Sequence, residues 1–292
     1  MSSLSFLVAK PITYARPRHR YMNRRQVALG MAILMTLILL GIVISGRMVD
    51  GAARVTDFTQ TMLPPSMEFP FGTDWMGRDL LARTLTGLSM SILIGLFAAC
   101  VSAVMAAILG AIAALGPAWA DSFITWLVDL FMGVPHILLL ILVSIAIGRG
   151  FWGVTIAVAV THWPALTRVL RAEVLQIKNS QYVWISYKLG RRPWRVWWQH
   201  MVPAALPQFV VGLVLLFPHA ILHEAGLTFL GFGLPPDQPA IGVILAESMS
   251  YLATGMWWAA FFPGLALLLL VLAFDALGGA ARVLITPSTA QE

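Results

Sequence analysis

The sequence predicts an all-α membrane protein that crosses the bilayer six times. Of the 292 residues, 59% are hydrophobic and only 11% are charged, whereas soluble domains are roughly half apolar and about a quarter charged. Several uncharged runs reach the roughly 20 helical residues that cross a hydrocarbon core about 30 Å thick. No run alternates apolar and polar residues over about ten positions, as the strands of a membrane barrel do.

Each expected span is an apolar run, and three of the runs contain one acidic residue. Asp129 interrupts the third run, Glu224 lies in the fifth and Asp275 lies near the end of the sixth. The first run exceeds the roughly 7–15 apolar residues of a signal-peptide core, so we expect it to remain as a membrane helix. The six runs lie within residues 27–45, 84–120, 123–147, 151–168, 203–232 and 256–277.

Charge is distributed by segment, as membrane topology requires. The N-terminal tail and the region between the fourth and fifth spans together contain 13 of the 19 lysines and arginines. By the positive-inside rule both are cytoplasmic, and six spans then place both termini on that side. This grouping indicates a lipid bilayer rather than nucleic acid as the partner of the basic segments. The predicted segments are a basic tail (1–25), a first span (26–46), an external elbow segment (47–83), a transmembrane core (84–285) that contains a basic loop (178–203), and a C-terminal tail (286–292).

The basic loop continues into the stretch "YVWISYKLGRRPWRVWWQHMVPAALP", residues 182–207. Tyr182, Ile185 and Leu189 stand at helical spacing, which predicts a short amphipathic helix that Gly190 ends. Pro193 then suits the first turn of a second helix. One interpretation is an interfacial helix with its tryptophans at the level of the lipid headgroups.

The same loop resembles the coupling loop in permease subunits of ABC importers. That pattern is Glu-Ala-Ala, three residues, Gly, and a hydrophobic-Pro pair about a dozen residues later, and Gly190 and Pro203 hold its fixed positions. The resemblance implies that the helix docks into a groove on a separate ATP-hydrolysing subunit. The positions of Glu-Ala-Ala are occupied by other residues, so the individual contacts differ. The residues expected to couple are Trp184, Ile185, Ser186, Leu189, Gly190, Trp194, Arg195 and Pro203.

Two further segments strengthen the resemblance to the dipeptide, oligopeptide and nickel branch of that family. "HEAGLTFLGFG" after the fifth span is similar to a family segment, and "FPFGTDWMGRDLLARTLTG" is similar to its signature between the first two spans. We expect the second segment to form a structured elbow, in which glycines permit tight backbone, Thr73 or Asp74 caps a helix, and Arg78 has acidic partners. The matching positions are Gly72, Thr73, Asp74, Gly77, Arg78 and Asp79.

Ionisable residues inside the spans are candidates for a substrate path, because burying them in a bilayer is costly without a partner. His219 and His223 stand four positions apart (i, i+4) on a helix, so they share one face and could ligate one metal ion. The alternative is that each histidine donates a hydrogen bond to a carbonyl on a neighbouring helix. His136 is also ionisable and lies within a span, and the residues proposed to line the path are Asp129, His162, His219, His223 and Glu224.

The histidines also carry a resemblance to the nickel-type members of the family, through "HW" at residues 162–163 and "HAILHEAG" at 219–226. It implies nickel or a metal chelate as the transported substrate, with a peptide as the alternative. A different class, an ion-driven transporter or channel, would use Asp129 and Glu224 as relay carboxylates. A zinc peptidase is excluded because Leu227 stands where His-Glu-x-x-His needs its second histidine.

The chain lacks a phosphate-binding Gly-x-x-x-x-Gly-Lys, since none of its three lysines follows a glycine. We therefore expect a transport subunit that is not an enzyme and binds no cofactor. The resemblance implies a bacterial inner-membrane assembly. Its expected partners are a second, homologous permease subunit, two ATPase subunits that hold ATP and magnesium, and an external solute-binding protein.

Overall fold

The computed structural model describes residues 24–285, and no named β-strand occurs in that range. The predictions for the basic tail up to residue 23 and for the C-terminal tail fall outside it. The described chain contains ten α-helices: α1 (Arg24–Met48), α2 (Leu80–Leu115), α3 (Ala118–Gly133), α4 (His136–Ile147), α5 (Phe151–Lys178), α6 (Gln181–Lys188), α7 (Pro193–Val196), α8 (Val202–Phe229), α9 (Ile241–Tyr251) and α10 (Trp258–Ile285).

Five continuous helical stretches in the described chain are long and apolar enough to cross a membrane. They are α1, α2, α5, α10 and the stretch Pro193–Phe229, which includes α7 and α8. The sixth candidate is α3 together with α4, which meet at an angle of 97°. The expected count of six is met if this bent pair forms one span.

The third span is broken, although hydropathy predicts one continuous run over 123–147. Val134 and Pro135 separate α3 from α4; Val134 has an extended backbone conformation, and Pro135, with ψ 118°, is not helical. Proline lacks the N–H that a helix interior needs, and it disfavours helical geometry in the residue before it. The break therefore has a local cause that hydropathy does not register.

The centre of the bundle is α2, which packs against α5 along much of its length and also contacts α1 and α8. Small residues permit close approach: a Cβ on Gly95 would lie 2.8 Å from Ile221 of α8, and one on Gly46 of α1 would lie 2.5 Å from the Leu85 carbonyl oxygen. Close packing at small residues is the usual way in which membrane helices associate.

The two helices beside the basic loop extend further than the sequence predicts. α5 continues past the expected end near residue 168 to Lys178, and helix resumes at Pro193, before the expected start of the fifth span at 203. One wider turn, a π-helix at Trp197–Met201, joins α7 to α8. Most of the loop 178–203 is therefore helical and continuous with the spans on either side.

Candidate functional site

The break between α3 and α4 lies at the edge of a cavity of about 640 Å³. The cavity walls come from the break itself, from α5 and from α8, and its volume falls within the roughly 300–1,000 Å³ of small-molecule sites. Among the described residues, no Asp, Glu, Lys or Arg lines it. The polar side chains in its lining are Thr161 and the four histidines His136, His162, His219 and His223.

Three of these histidines converge from three different helices. His136 is the first residue of α4, His162 lies in α5 and His223 in α8, and one potential ligand atom of each lies within 4.8 Å of the others. Nε2 of His162 and Nδ1 of His223 are 3.3 Å apart. The centroids of the three rings are 4.6, 4.6 and 4.9 Å apart, with the ring planes nearly perpendicular.

Backbone carbonyls hold two of the rings. His162 Nδ1 lies 2.8 Å from the Val158 carbonyl oxygen, and His223 Nδ1 lies 2.8 Å from that of His219. Each carbonyl belongs to the same helix one turn earlier, so the expected bonds to neighbouring helices are replaced by local ones. Nε2 of His136 is buried and has no hydrogen-bond partner in the described part of the chain.

Of the predicted metal-binding pair, His219 and His223, only His223 belongs to this cluster. His219 lines the cavity, but the group that could hold a metal combines His223 with His136 and His162. The sequence marks His136 as ionisable within a span. It gives no signal that this residue joins the others, because the grouping depends on the bend between α3 and α4.

The two candidate relay carboxylates lie outside the cavity lining. Asp129 forms an ion pair with Arg168, and both side chains are more than half exposed. Glu224 is completely buried, and it accepts hydrogen bonds from Ser91 Oγ at 2.6 Å and Thr228 Oγ1 at 3.1 Å. Glu224 thus connects α8 to α2.

The predicted amphipathic helix is α6, and Gly190 ends it as expected. The Gly190 N–H donates to the Tyr187 carbonyl oxygen at 3.0 Å, and the Arg191 N–H donates to that of Ser186 at 3.2 Å. These two bonds form a Schellman cap, which needs a left-handed residue at its centre. Gly190 has φ +77° and supplies it.

The face that α6 turns outward is apolar. Val183 is fully buried and packs with residues of α2, α5, α7 and the π-helix, which fixes α6 to the bundle. Ser186 is buried and donates to the Tyr182 carbonyl oxygen at 2.8 Å. The predicted helical stripe points away from the bundle. The exposed residues of this surface, which the sequence predicts to be a coupling surface, are Tyr182, Trp184, Ile185, Leu189, Trp194, Arg195 and Pro203.

The elbow segment is ordered by tight turns. A Cβ on Gly77, where φ is +74°, would lie 1.8 Å from the Asp57 carbonyl oxygen. The prediction that Thr73 or Asp74 caps a helix is wrong: Asp79 caps α2 by accepting from the backbone of Leu81 and Ala82. Thr73 instead fixes the loop, since its hydroxyl donates to Gln60 O at 2.6 Å and accepts from Leu63 N at 2.8 Å.

The same segment contains a buried ion cluster. Asp74 lies 2.6 Å from Arg78 Nε and 2.5 Å from Arg83 Nη1, and Glu247 of α9 contacts both arginines. The expected acidic partners of Arg78 are therefore confirmed, although Glu247 is distant in sequence. Nearby, the Thr59 hydroxyl and N–H donate to the Asp57 carboxylate and lower its pKa.

A bundle of apolar, membrane-length helices around a cavity, with a broken helix at its edge, defines a polytopic membrane permease. Transporters commonly place their substrate sites beside such discontinuous helices.

Comparisons with known proteins agree. Residues 106–282 match the family described as binding-protein-dependent transport system inner membrane component. The chain is 35% identical to a provisionally named peptide transport system permease protein of Brucella suis biovar 1 (strain 1330), over 92% of this chain and 90% of that protein. It is 30% identical to the dipeptide transport system permease protein of Bacillus subtilis (strain 168), over 94% of this chain and 86% of that protein.

The fold is similar to that in the crystal structure of an amino acid ABC transporter with histidines, with a TM-score of 0.56 and 14% identity over 69% of this chain and 94% of that one. The chain belongs to the family of binding-protein-dependent inner membrane components, in the dipeptide and oligopeptide branch of ABC importer permeases. It is a permease subunit of a transport system.

Proposed function

We propose that this chain is the permease subunit of an ATP-driven importer and that it lines the path of a short peptide. The cavity beside the broken helix carries the proposal, because about 640 Å³ is enough space for a small peptide. The curated relatives described above are named for peptide or dipeptide transport. Their names support a peptide better than the nickel substrate that the histidine motifs imply.

The working assembly would contain this chain, a second homologous permease subunit, two ATPase subunits and an external solute-binding protein. ATP and magnesium would be held by the ATPase subunits, and this chain would bind neither. We place the assembly in a bacterial inner membrane with both termini cytoplasmic, because the basic loop then lies on the side where ATP is available.

The coupling surface on α6 would be the contact with one ATPase subunit. It presents Trp184, Ile185 and Leu189 to solvent, and an exposed apolar patch is typical of a protein interface. Because Val183 anchors α6 to the end of α5, a displacement of α6 would move a span that forms part of the cavity wall. Such movement alternates access only if cargo and partner bind the two states with different affinities.

A second candidate cargo is nickel or another metal chelate. The three converging histidines favour it, because imidazole is a common ligand of nickel, copper and zinc. An ion-driven mechanism is less well supported, since Asp129 is paired with Arg168 and Glu224 is enclosed by hydroxyl groups.

Uptake into cells with and without this chain would separate these candidates. Labelled dipeptide, free labelled nickel and chelated nickel would be compared, each with and without the ATPase subunits. Dipeptide uptake that needs both this chain and the ATPases would support the peptide importer. Uptake of chelated nickel alone would favour the second candidate, and transport that survives loss of the ATPases would contradict both.

A further inference from the structure

We propose that His136, His162 and His223 form a binding site for a divalent transition-metal cation that enters as part of a peptide-like chelate. The three imidazoles would supply three ligands, and the cavity would leave space for the organic part of the cargo at the remaining position. The delivery of the metal rests on the proposed import function. The site itself rests on the geometry alone.

The separation of the three rings suits one metal ion. A tetrahedral ion with metal–nitrogen distances of roughly 2.0–2.1 Å holds its ligand nitrogens about 3.3–3.4 Å apart. One potential ligand nitrogen of each ring lies within 4.8 Å of those of the other two. Side-chain rotations that bring these nitrogens up to about 1.5 Å closer would enclose an ion.

The hydrogen bonds around the rings resemble those of metal-binding histidines, which usually donate their second ring N–H to a carbonyl or carboxylate. His162 and His223 can each donate from Nδ1 to a carbonyl oxygen 2.8 Å away, and in that tautomer Nε2 carries the lone pair. His136 Nε2 is buried without a hydrogen-bond partner in the described chain, although a buried polar atom normally has one. A metal ion would satisfy that nitrogen.

The charge of the cavity indicates how the metal would arrive. The lining contains no carboxylate, so three neutral imidazoles would leave the charge of a divalent ion uncompensated. Burying such a charge is expensive, because the surrounding helices are apolar. A chelate with carboxylate donors of its own would bring the compensating charge, which favours a metal bound to a peptide-like ligand over the free ion.

Direct binding of Zn²⁺ to the full chain in lipid nanodiscs tests the site. The protein would be purified with a tag that contains no histidine, and binding would be measured by equilibrium dialysis. We expect one Zn²⁺ per chain. The substitutions His136→Ala and His162→Ala should each raise the Kd at least about 100-fold, since even the loss of a second-shell partner costs roughly 10–100-fold.

A matched control keeps the test specific. His200→Ala removes a histidine of the basic loop that lies outside the cavity lining. It should leave the Kd within about threefold of the unsubstituted protein. Binding that depends on His219 but not on His136 would overturn the three-histidine site, as would no binding at all.

X-ray absorption of the Zn²⁺-loaded, unsubstituted chain is independent of how well the variants fold. Three imidazole nitrogens at roughly 2.0–2.1 Å would support the site, and fewer than three would overturn it.

An uptake experiment tests the delivery of the metal. Uptake of a Zn²⁺–peptide complex should fall in His136→Ala while uptake of the metal-free peptide is retained. Equal effects on both would overturn the delivery role. Absence of peptide uptake in the unsubstituted system would count against the proposed function and leave the binding result intact.

Discussion

Replacement of Gly190 tests whether the end of α6 transmits the work of an ATPase partner. A Cβ at this position would meet no atom of the described chain within 4 Å, so the Cβ itself causes no steric overlap. The cost comes from the backbone, because φ is +77° and the left-handed conformation costs roughly 1–2 kcal/mol for an ordinary L-residue. That cost changes the ratio of capped to uncapped helix by a factor of about 5–30.

We expect Gly190→Val to loosen the last turn of α6 and to reduce ATP-driven dipeptide uptake by up to that factor, at unchanged protein level. Gly190→Asn is the matched control, since asparagine tolerates the left-handed region better than other residues with a side chain. It should retain most of the uptake. Full uptake by Gly190→Val, or equal losses in both variants, would refute the assignment of the Schellman cap to coupling.

Three further substitutions test other parts of the molecule. Gly77→Ala should lower the amount of folded protein in membranes more than Gly190→Val does, because its Cβ would overlap the Asp57 carbonyl oxygen; a normal amount would contradict the elbow geometry. Arg83→Met should cost less than the about 3–5 kcal/mol of breaking an isolated buried pair, since it removes the more buried of the two arginines that contact Asp74 and leaves Arg78, and thermal unfolding in detergent would show this as a lower Tm than that of the unsubstituted protein. Glu224→Gln should preserve ATP-driven uptake within about threefold, because the similar shape keeps a hydrogen bond to a neighbouring hydroxyl; complete loss with normal folding would instead favour a proton relay.

The features that the sequence predicts well are those with a local cause. Five long spans follow from uninterrupted hydropathy, and the end of α6 follows from one glycine after a helical stripe. Which side of α6 is buried is harder to predict, because it depends on which side of the helix packs against α2 and α5. Val183 lies against them, whereas Ile185 points outward.

The features that sequence reasoning missed depend on three-dimensional arrangement. Pro135 was visible, but a proline within an apolar run can leave a membrane helix continuous when neighbouring helices satisfy its backbone. The 97° bend was therefore not predictable from the residue alone, and neither was the position of His136 beside His162 and His223. Glu247 was missed for the same reason, since it reaches Arg83 only after α9 folds back against the elbow.

The arrangement of the helices connects the coupling surface to the histidine cluster. His162 lies in α5, whose last residue, Lys178, is close to the start of α6, and His223 lies in the helical stretch that begins at Pro193, immediately beyond α6. His136 belongs to α4, which is separated from α3 by the break and lies in neither of these helices. If α6 docks on an ATPase subunit as proposed, its displacement would act on His162 through α5 and on His223 through the stretch that begins at Pro193, whereas His136 lies in neither helix. Because three ligands hold a metal only at matched distances, a relative movement of this kind would change the affinity of the proposed site.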